Sequence, residues 1–415
     1  MSRTFFRNKL LCLDLMMLGL MIVSLPSLEA PKNIFLVGYL ITRIISEIIQ
    51  FKQGVKQWKG WDFLFITIIF TAFLSTVYAG FSGLEEWKGY KVFLSAILIG
   101  WFLSRAHYSQ NQYRIIFLLT VLAIIPPLLW GLYEYLIIHS KKSLEIHSVG
   151  HVNHSAIYLT MVFGATLGWF ISQFDFKKKN EATQLKTILI GIMSFILFIY
   201  LIIGQSRGAF GVAVILGLCL LFSLTKDMKV SAIVIVTMLL VIISSMLLES
   251  DIVQKQINNQ KSDNVLSDRD RVWNVSIEAS RFSPLLGLGL SNWHFIKLSQ
   301  IQKSVEARGE AFNADNYFFP GHSHSLYLSA LVERGIVGLM VTLIFMFYWL
   351  YDLIKTFKWS KKSSTSYTLW AGSFSAWLAT FGIGLVNTTF HHEHGILACL
   401  FLGLYISYKN ELKPS

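Results

Sequence analysis

Ser267-Asp268-Arg269-Asp270-Arg271-Val272-Trp273 and Gly321-His322-Ser323-His324-Ser325 lie in one polar stretch, from about Glu249 to His324, that interrupts an otherwise apolar sequence. Polar connections between membrane spans are usually short. One of this length, mixing guanidinium groups and imidazoles where the next apolar run begins, reads as a candidate cap over an active site. The side of the membrane on which it lies then decides much of the chemistry.

The apolar frame around it is clear from composition. Of 415 residues, 54% are hydrophobic and only 14% charged, more apolar surface than a water-soluble chain of this length can bury, so the solvent is lipid. The net charge of +12 does not indicate nucleic acid, because most basic residues sit in short connections between apolar runs. Anchoring to anionic headgroups explains it better. Cys12, Cys219 and Cys399 all fall in apolar segments, which leaves neither a disulfide framework nor a zinc-type Cys pattern. The run from Leu10 to Leu25 resembles a signal-peptide core, but no small-residue cleavage site follows it, and it reads as a retained first span.

Apolar runs fall at about 10–26, 33–51, 62–80, 89–104, 114–138, 152–174, 187–204, 209–224, 230–248, 326–354, 367–387 and 394–408, or about twelve helices. Counting Lys and Arg on alternate sides orients them. With the N-terminus inside, the inner segments carry Arg3, Arg7, Lys9, Lys52, Lys56, Lys59, Arg105, Arg114, Lys177, Lys178, Lys179, Lys186, Lys226, Lys229, Lys355, Lys358, Lys361, Lys362, Lys409 and Lys413. The short outer segments carry Lys32, Lys88, Lys91, Lys141, Lys142 and Arg207. This bias puts both termini in the cytoplasm and the 249–324 stretch on the outer face. The expected fold is thus an all-α polytopic membrane protein: spans one to nine over residues 1–248, a large helical loop or lid over 249–324, and spans ten to twelve over 325–415.

Other unusual polar residues reach the same face. Gln205-Ser206-Arg207-Gly208 is a hairpin between two spans, Gly150-His151-Val152-Asn153-His154 opens a helix, and His391-His392-Glu393-His394 opens the last one. A guanidinium in so tight a hairpin is costly unless it pairs or meets a polar ligand; the plainer reading is an arginine snorkelling to the headgroups. Gly208 leaves room for close approach of a substrate or a neighbouring helix. In the loop, Ser267 is a plausible N-cap, and Val272, Val275, Ala279 and Phe282 recur at helical spacing, so this helix is expected to lie with one face against the membrane domain. Arg269 and Arg271 either serve a ligand or pair with Asp268 and Asp270 on a solvated face. His322 and His324 sit at a serine-rich helix start, where a neutral imidazole can act as a general base near pH 7. They could form a metal site with His391, His392, Glu393 and His394, but interfacial polar filler is the simpler account. The sequence contains no Walker motif, no dinucleotide-binding glycine fingerprint and no DxD-type sugar-nucleotide site. Energy must come preloaded in the substrate or from a gradient.

Four segments carry a family resemblance. Gly150-His-Val-Asn-His-Ser-Ala-Ile-Tyr158, Gln205-Ser-Arg-Gly-Ala209, Arg269-Asp-Arg-Val-Trp273 with Pro284-Leu-Leu-Gly-Leu-Gly289, and His324-Ser-Leu-Tyr-Leu328 with Glu333-Arg-Gly-Ile-Val-Gly338 occur in the order found in bacterial O-antigen ligases. The chain resembles that family, within the superfamily that includes O-antigen polymerases and membrane O-oligosaccharyltransferases. It departs at Ser325, where the superfamily more often has the Asn whose amide would orient the histidine.

The resemblance implies a glycosyltransferase of the bacterial inner membrane. It would move O-antigen from undecaprenyl diphosphate to a sugar of lipid A–core at the periplasmic face, by an inverting displacement needing no metal, nucleotide or other cofactor. Its implied partners are the lipid-linked donor, the lipid A–core acceptor and membrane lipids, with no nucleic acid. Arg207 and Arg269 would grip the diphosphate and His324 would take the acceptor proton. Arg271 (close enough to substitute for Arg269), His322, His154, Asn153 and Ser206 would bind substrate. An O-antigen polymerase or a protein O-oligosaccharyltransferase would use the same donor. A glycolipid transporter fits less well, since the polar groups collect at one face rather than at mid-membrane.

Overall fold

The computed structural model describes residues 3–52, 58–80, 84–141, 144–146, 151–175, 181–204, 206–224 and 268–412. Among these the chain is helical without strands. The helices are α1 (Arg3–Ser24), α2 (Glu29–Lys52), α3 (Gly60–Ala79), α4 (Glu85–Ser104), α5 (Gln110–Leu122), α6 (Ile125–Tyr133), α7 (Val152–Asp175), α8 (Glu181–Ile203) and α9 (Arg207–Leu224). After the loop begins come α10 (Arg269–Ser280), α11 (Leu298–Glu306), α12 (Leu326–Ser360), α13 (Ser364–Gly382) and α14 (His392–Leu412). The expected span at 230–248 and the loop residues before Asp268 lie outside the described residues, as do Gly150, Gln205 and Ser267.

Among the described residues, six segments are long and apolar enough to cross a bilayer: Glu29–Lys52, Gly60–Ala79, Gln110–Ile138, Val152–Gln173, Gln184–Ile203 and Leu326–Ser360. The chain is therefore a polytopic helical membrane protein. The span read from sequence at 114–138 lies within Gln110–Ile138 and is divided into α5 and α6, because Pro126 and Pro127 open α6 and interrupt the hydrogen-bond ladder behind them. Helices α4, α13 and α14 are not among the six. Helix α4 packs on α14 and α13 on α7, and α13 and α14, buried over most of their length, can carry small and polar residues instead of an apolar surface. Gly168 of α7 lies so close to α13 that an added Cβ would stand 2.3 Å from the Ala371 methyl. Ser373 and Ser375 of α13 and His394 and Ser407 of α14 are buried. At the end of the bundle where Gly60 opens α3, ion pairs tie the helices together. Arg105 reaches Glu47 at 2.8 Å and Asp62 at 2.7 Å, and Arg43 pairs with Glu47 at 3.0 Å.

The loop has its own small core. Val272, Val275 and Ala279 of α10 pack with Trp293, Ile301 and Val305, and the bundle contributes Val332 of α12. As expected from its apolar spacing, α10 lies against the membrane domain, along α12, and it packs on α11 within the loop as well. Phe282 is left 36% exposed. A helical apolar stripe reveals that a face is covered but not which partner covers it.

What fixes the loop to the bundle is a break inside α12. Gly335 is non-helical, at φ 64° and ψ −169°, a conformation nearly closed to other residues. The break turns backbone groups outward, and the Pro284–Gly289 segment satisfies them. Leu288 and Gly289 donate their N–H groups to the Val332 and Glu333 carbonyls at 2.8 and 2.9 Å, while Ile336 and Val337 donate to the Pro284 and Leu285 carbonyls at 2.8 and 3.3 Å. Ser75 of α3 donates to the Glu333 carbonyl as well, at 2.7 Å. The fit is tight, since a Cβ on Gly335 would lie 2.2 Å from the Leu285 oxygen and one on Gly287 2.4 Å from the Arg334 nitrogen. The two glycine motifs read separately in the sequence are thus the two sides of one seam.

Gly335→Ala is therefore expected to destabilise the protein by about 2 kcal/mol or more, through positive-φ strain and the clash together. Gly211→Ala, in α9 with nothing within 4 Å of the added methyl, is the control and should be neutral or slightly stabilising. Thermal unfolding followed by tryptophan fluorescence checks both. Equal midpoints for the two variants would contradict the seam.

Candidate active site

Arg207 is the first residue of α9, exposed at the hairpin. Its neighbour Ser206 is buried and donates to Asn153 Oδ1 at 3.0 Å, which ties the hairpin to the first turn of α7. The room at Gly208 is taken by protein: an added Cβ would meet Val386 at 2.9 Å. The hairpin therefore leans on the connection that leads from α13 into α14.

Arg269, the first residue of α10, comes down from the loop beside Arg207. Burial lowers its pKa, and the adjacent Arg207 charge lowers it further. Two guanidinium groups held together repel one another, and an anion between them would relieve that repulsion. Arg271 turns elsewhere, to Asp268 at 3.4 Å and over the Phe318 ring at 5.8 Å.

His324 sits just before α12 with a left-handed backbone, φ 49°. Ser323 stabilises this turn, bonding the Ser325 carbonyl at 2.8 Å and the Ser329 hydroxyl at 2.6 Å. Ser325 caps α12 through the Leu328 N–H at 3.5 Å. The amide missing at position 325 is supplied from elsewhere, because buried Asn387 hydrogen-bonds the His324 ring. His324 Nδ1 is buried without a hydrogen-bond partner. Burial, then His322, then Arg269 push the His324 pKa down to about 4, against the smaller upward effect of Asn387.

Further imidazoles surround this group. The His322 and His324 ring centroids are 4.2 Å apart. The His154 ring lies 4.8 Å from His391, 5.3 Å from His394 and 5.6 Å from His151. His322 is held below its ordinary pKa by burial and by His151 and His392, and His391 well below it by burial and its histidine neighbours. Crowded, partly buried imidazoles stay neutral because each added charge would face the others. Among the described residues, no group of three or more His, Cys, Asp or Glu side chains is arranged to hold a metal ion.

The first turn of α14, which carries His392 and His394, is anchored by a buried ion pair, Lys32 to Glu393 at 2.5 Å. Sequence reading missed both this pair and Asn387. Lys32 and Glu393 stood at the same membrane face and could have been paired on that ground. Nothing local marks Asn387, which closes an apolar segment.

The family model described as O-antigen ligase matches residues 192–343, which carry Arg207, Arg269, His322, His324 and both sides of the Gly335 seam. Over that part of its length the chain is similar to the O-antigen ligase/polymerase superfamily, which supports membership of it. No curated protein matches it.

With its pKa near 4, His324 should remain neutral across the physiological range. A histidine-selective NMR titration, assigned with His324→Gln, is expected to show one imidazole unprotonated down to about pH 5. Asn387→Ala should move that pKa lower still, because the amide's hydrogen bond raises it. A His324 midpoint between 6 and 7 would refute the placement.

Proposed function

We propose that this chain is an O-antigen ligase, which moves O-antigen glycan from undecaprenyl diphosphate to a sugar hydroxyl of lipid A–core. It acts at the periplasmic face of the bacterial inner membrane, with both termini cytoplasmic, about twelve spans, and the loop as lid. The observation that carries this reading is the convergence of three groups from distant parts of the chain. Arg207 from the hairpin adds to the charge felt by Arg269 from the loop, and Arg269 in turn is felt by His324 at the start of α12. Two cations beside one neutral imidazole suit displacement of a lipid diphosphate by a sugar hydroxyl.

The acceptor oxygen attacks the anomeric carbon of the donor's first sugar, and its proton passes to His324. The bond from that carbon to the diphosphate oxygen breaks, and the electron pair leaves on the diphosphate. Attack opposite the leaving group inverts the anomeric centre. Arg207 and Arg269 grip the diphosphate and stabilise the growing charge, which needs no protonating acid on the leaving group. The bound anion also raises the proton affinity of His324 by offsetting the Arg269 charge, so the base strengthens when the donor is in place. Ser206 and Asn153 fix the hairpin, and His154 and His322 orient substrate.

Arg207→Ala, Arg269→Ala and His324→Ala should each reduce ligation by about a hundredfold or more, with the protein still inserted and abundant. Arg271→Ala should retain most activity, since its side chain is turned to Asp268 and Phe318. Lipopolysaccharide profiles of complemented strains check this, and normal capping by His324→Ala would remove it as the base. In the same strains, gene deletion should leave a bare core with accumulated lipid-linked glycan. A core bearing a single repeat would mark a polymerase instead.

A further inference from the structure

The imidazole cluster has a second side. His322 and His391 also line a cavity of about 390 Å³ whose other walls include Lys88, His294, Ser329 and Glu333. Arg207, Arg269 and His324 are not among the described lining residues. His322 is, and its ring stands 4.2 Å from that of His324. His322 therefore stands between His324 and this pocket.

We propose that this cavity is the acceptor subsite, holding the outermost sugar of the acceptor glycolipid by its hydroxyl groups. The inference rests on the ligase reading above and states where the second substrate sits. The Glu333 side chain takes a hydrogen bond from the Ser291 backbone. The adjacent Arg334 guanidinium is turned onto the Phe93 ring at 4.7 Å and the Thr342 hydroxyl at 3.1 Å. A carboxyl group has acceptor capacity beyond one N–H, enough to bind neighbouring sugar hydroxyls. From it, hydroxyl groups lead toward the base: Ser329 lies 3.3 Å from Thr388 and 2.6 Å from Ser323, in the turn that presents His324.

Charge sorts the two substrates. Both cations of the lining are already engaged, Lys88 by Glu85 at 2.5 Å and Arg334 by the Phe93 ring and the Thr342 hydroxyl, and the Glu333 carboxyl group is a poor partner for a phosphate. The diphosphate belongs with Arg207 and Arg269, and a hydroxyl-rich sugar belongs here. At the rim, Lys88 is 70% exposed and stands beside Val92, an exposed apolar residue that also lines the cavity. An exposed apolar side chain at the mouth suits a glycolipid headgroup arriving from the plane of the bilayer.

The test is steady-state ligation by the full-length protein in nanodiscs, with lipid-linked glycan as donor and core-bearing lipid A as acceptor, each varied separately. Glu333→Gln, which keeps the shape and weakens the acceptor, should raise the acceptor KM about tenfold and leave the donor KM unchanged. Ser329→Ala should shift the acceptor KM in the same direction, and decides the matter if Glu333→Gln does not assemble. A rise in donor KM instead would assign the cavity to the donor glycan and overturn the inference. Unchanged values for both substrates would overturn it as well, with the ligase reading intact. Wild-type protein that lengthens the donor and never caps the acceptor would remove the ligase reading itself, and this inference with it.

Discussion

The structure depends on one backbone seam. A transmembrane helix that breaks in lipid exposes peptide groups that water cannot reach, and each unmet one costs several kcal/mol. Here the break at Gly335 is met by Pro284–Gly289, so the loop cannot detach without leaving those groups unpaired. The glycines are required because the two backbones approach within the space of a methyl group. A stretch of loop becomes in effect part of the membrane domain. That docking sets where α10 points and brings Arg269 beside Arg207, although the two lie far apart in sequence.

Around the seam the polar groups are arranged by opposed costs. The arginines stay charged and crowd each other, a configuration that favours an anionic ligand over water alone. His322, His324 and His391 avoid the same cost through lowered pKa values, which keeps lone pairs available to accept protons. The buried Lys32–Glu393 pair supplies the compensated charge that holds the first turn of α14 in place. The paired guanidinium groups of Arg207 and Arg269 thus lie on one side of His324 and the histidine cluster on the other.

Much of this was legible in the sequence, and what was not has physical reasons. Apolar runs and charge bias located the helices, because lipid imposes length and composition directly. The run at 114–138 falls within the single span Gln110–Ile138, but hydropathy does not show that Pro126-Pro127 divides it into α5 and α6. Periodicity marked the buried face of α10 correctly at Val272, Val275 and Ala279 and its partner in the membrane domain, α12, but gave no sign of the second partner inside the loop, α11. The choice between Arg269 and Arg271 could not be made, because at about 100° per residue they sit on different faces of one helix. Only docking decides which face meets the hairpin. The His324 amide partner was sought next to it in sequence and found at Asn387, since a hydrogen bond needs proximity in space alone.

The central claim is that the seam assembles the anion site, and binding of unglycosylated undecaprenyl diphosphate to the protein in nanodiscs tests it most directly. Gly335→Ala and Arg207→Ala should each weaken binding strongly. The double variant should bind about as poorly as either single one, because both remove the same assembled pair. Wild-type affinity in Gly335→Ala, or losses that simply add, would contradict the account.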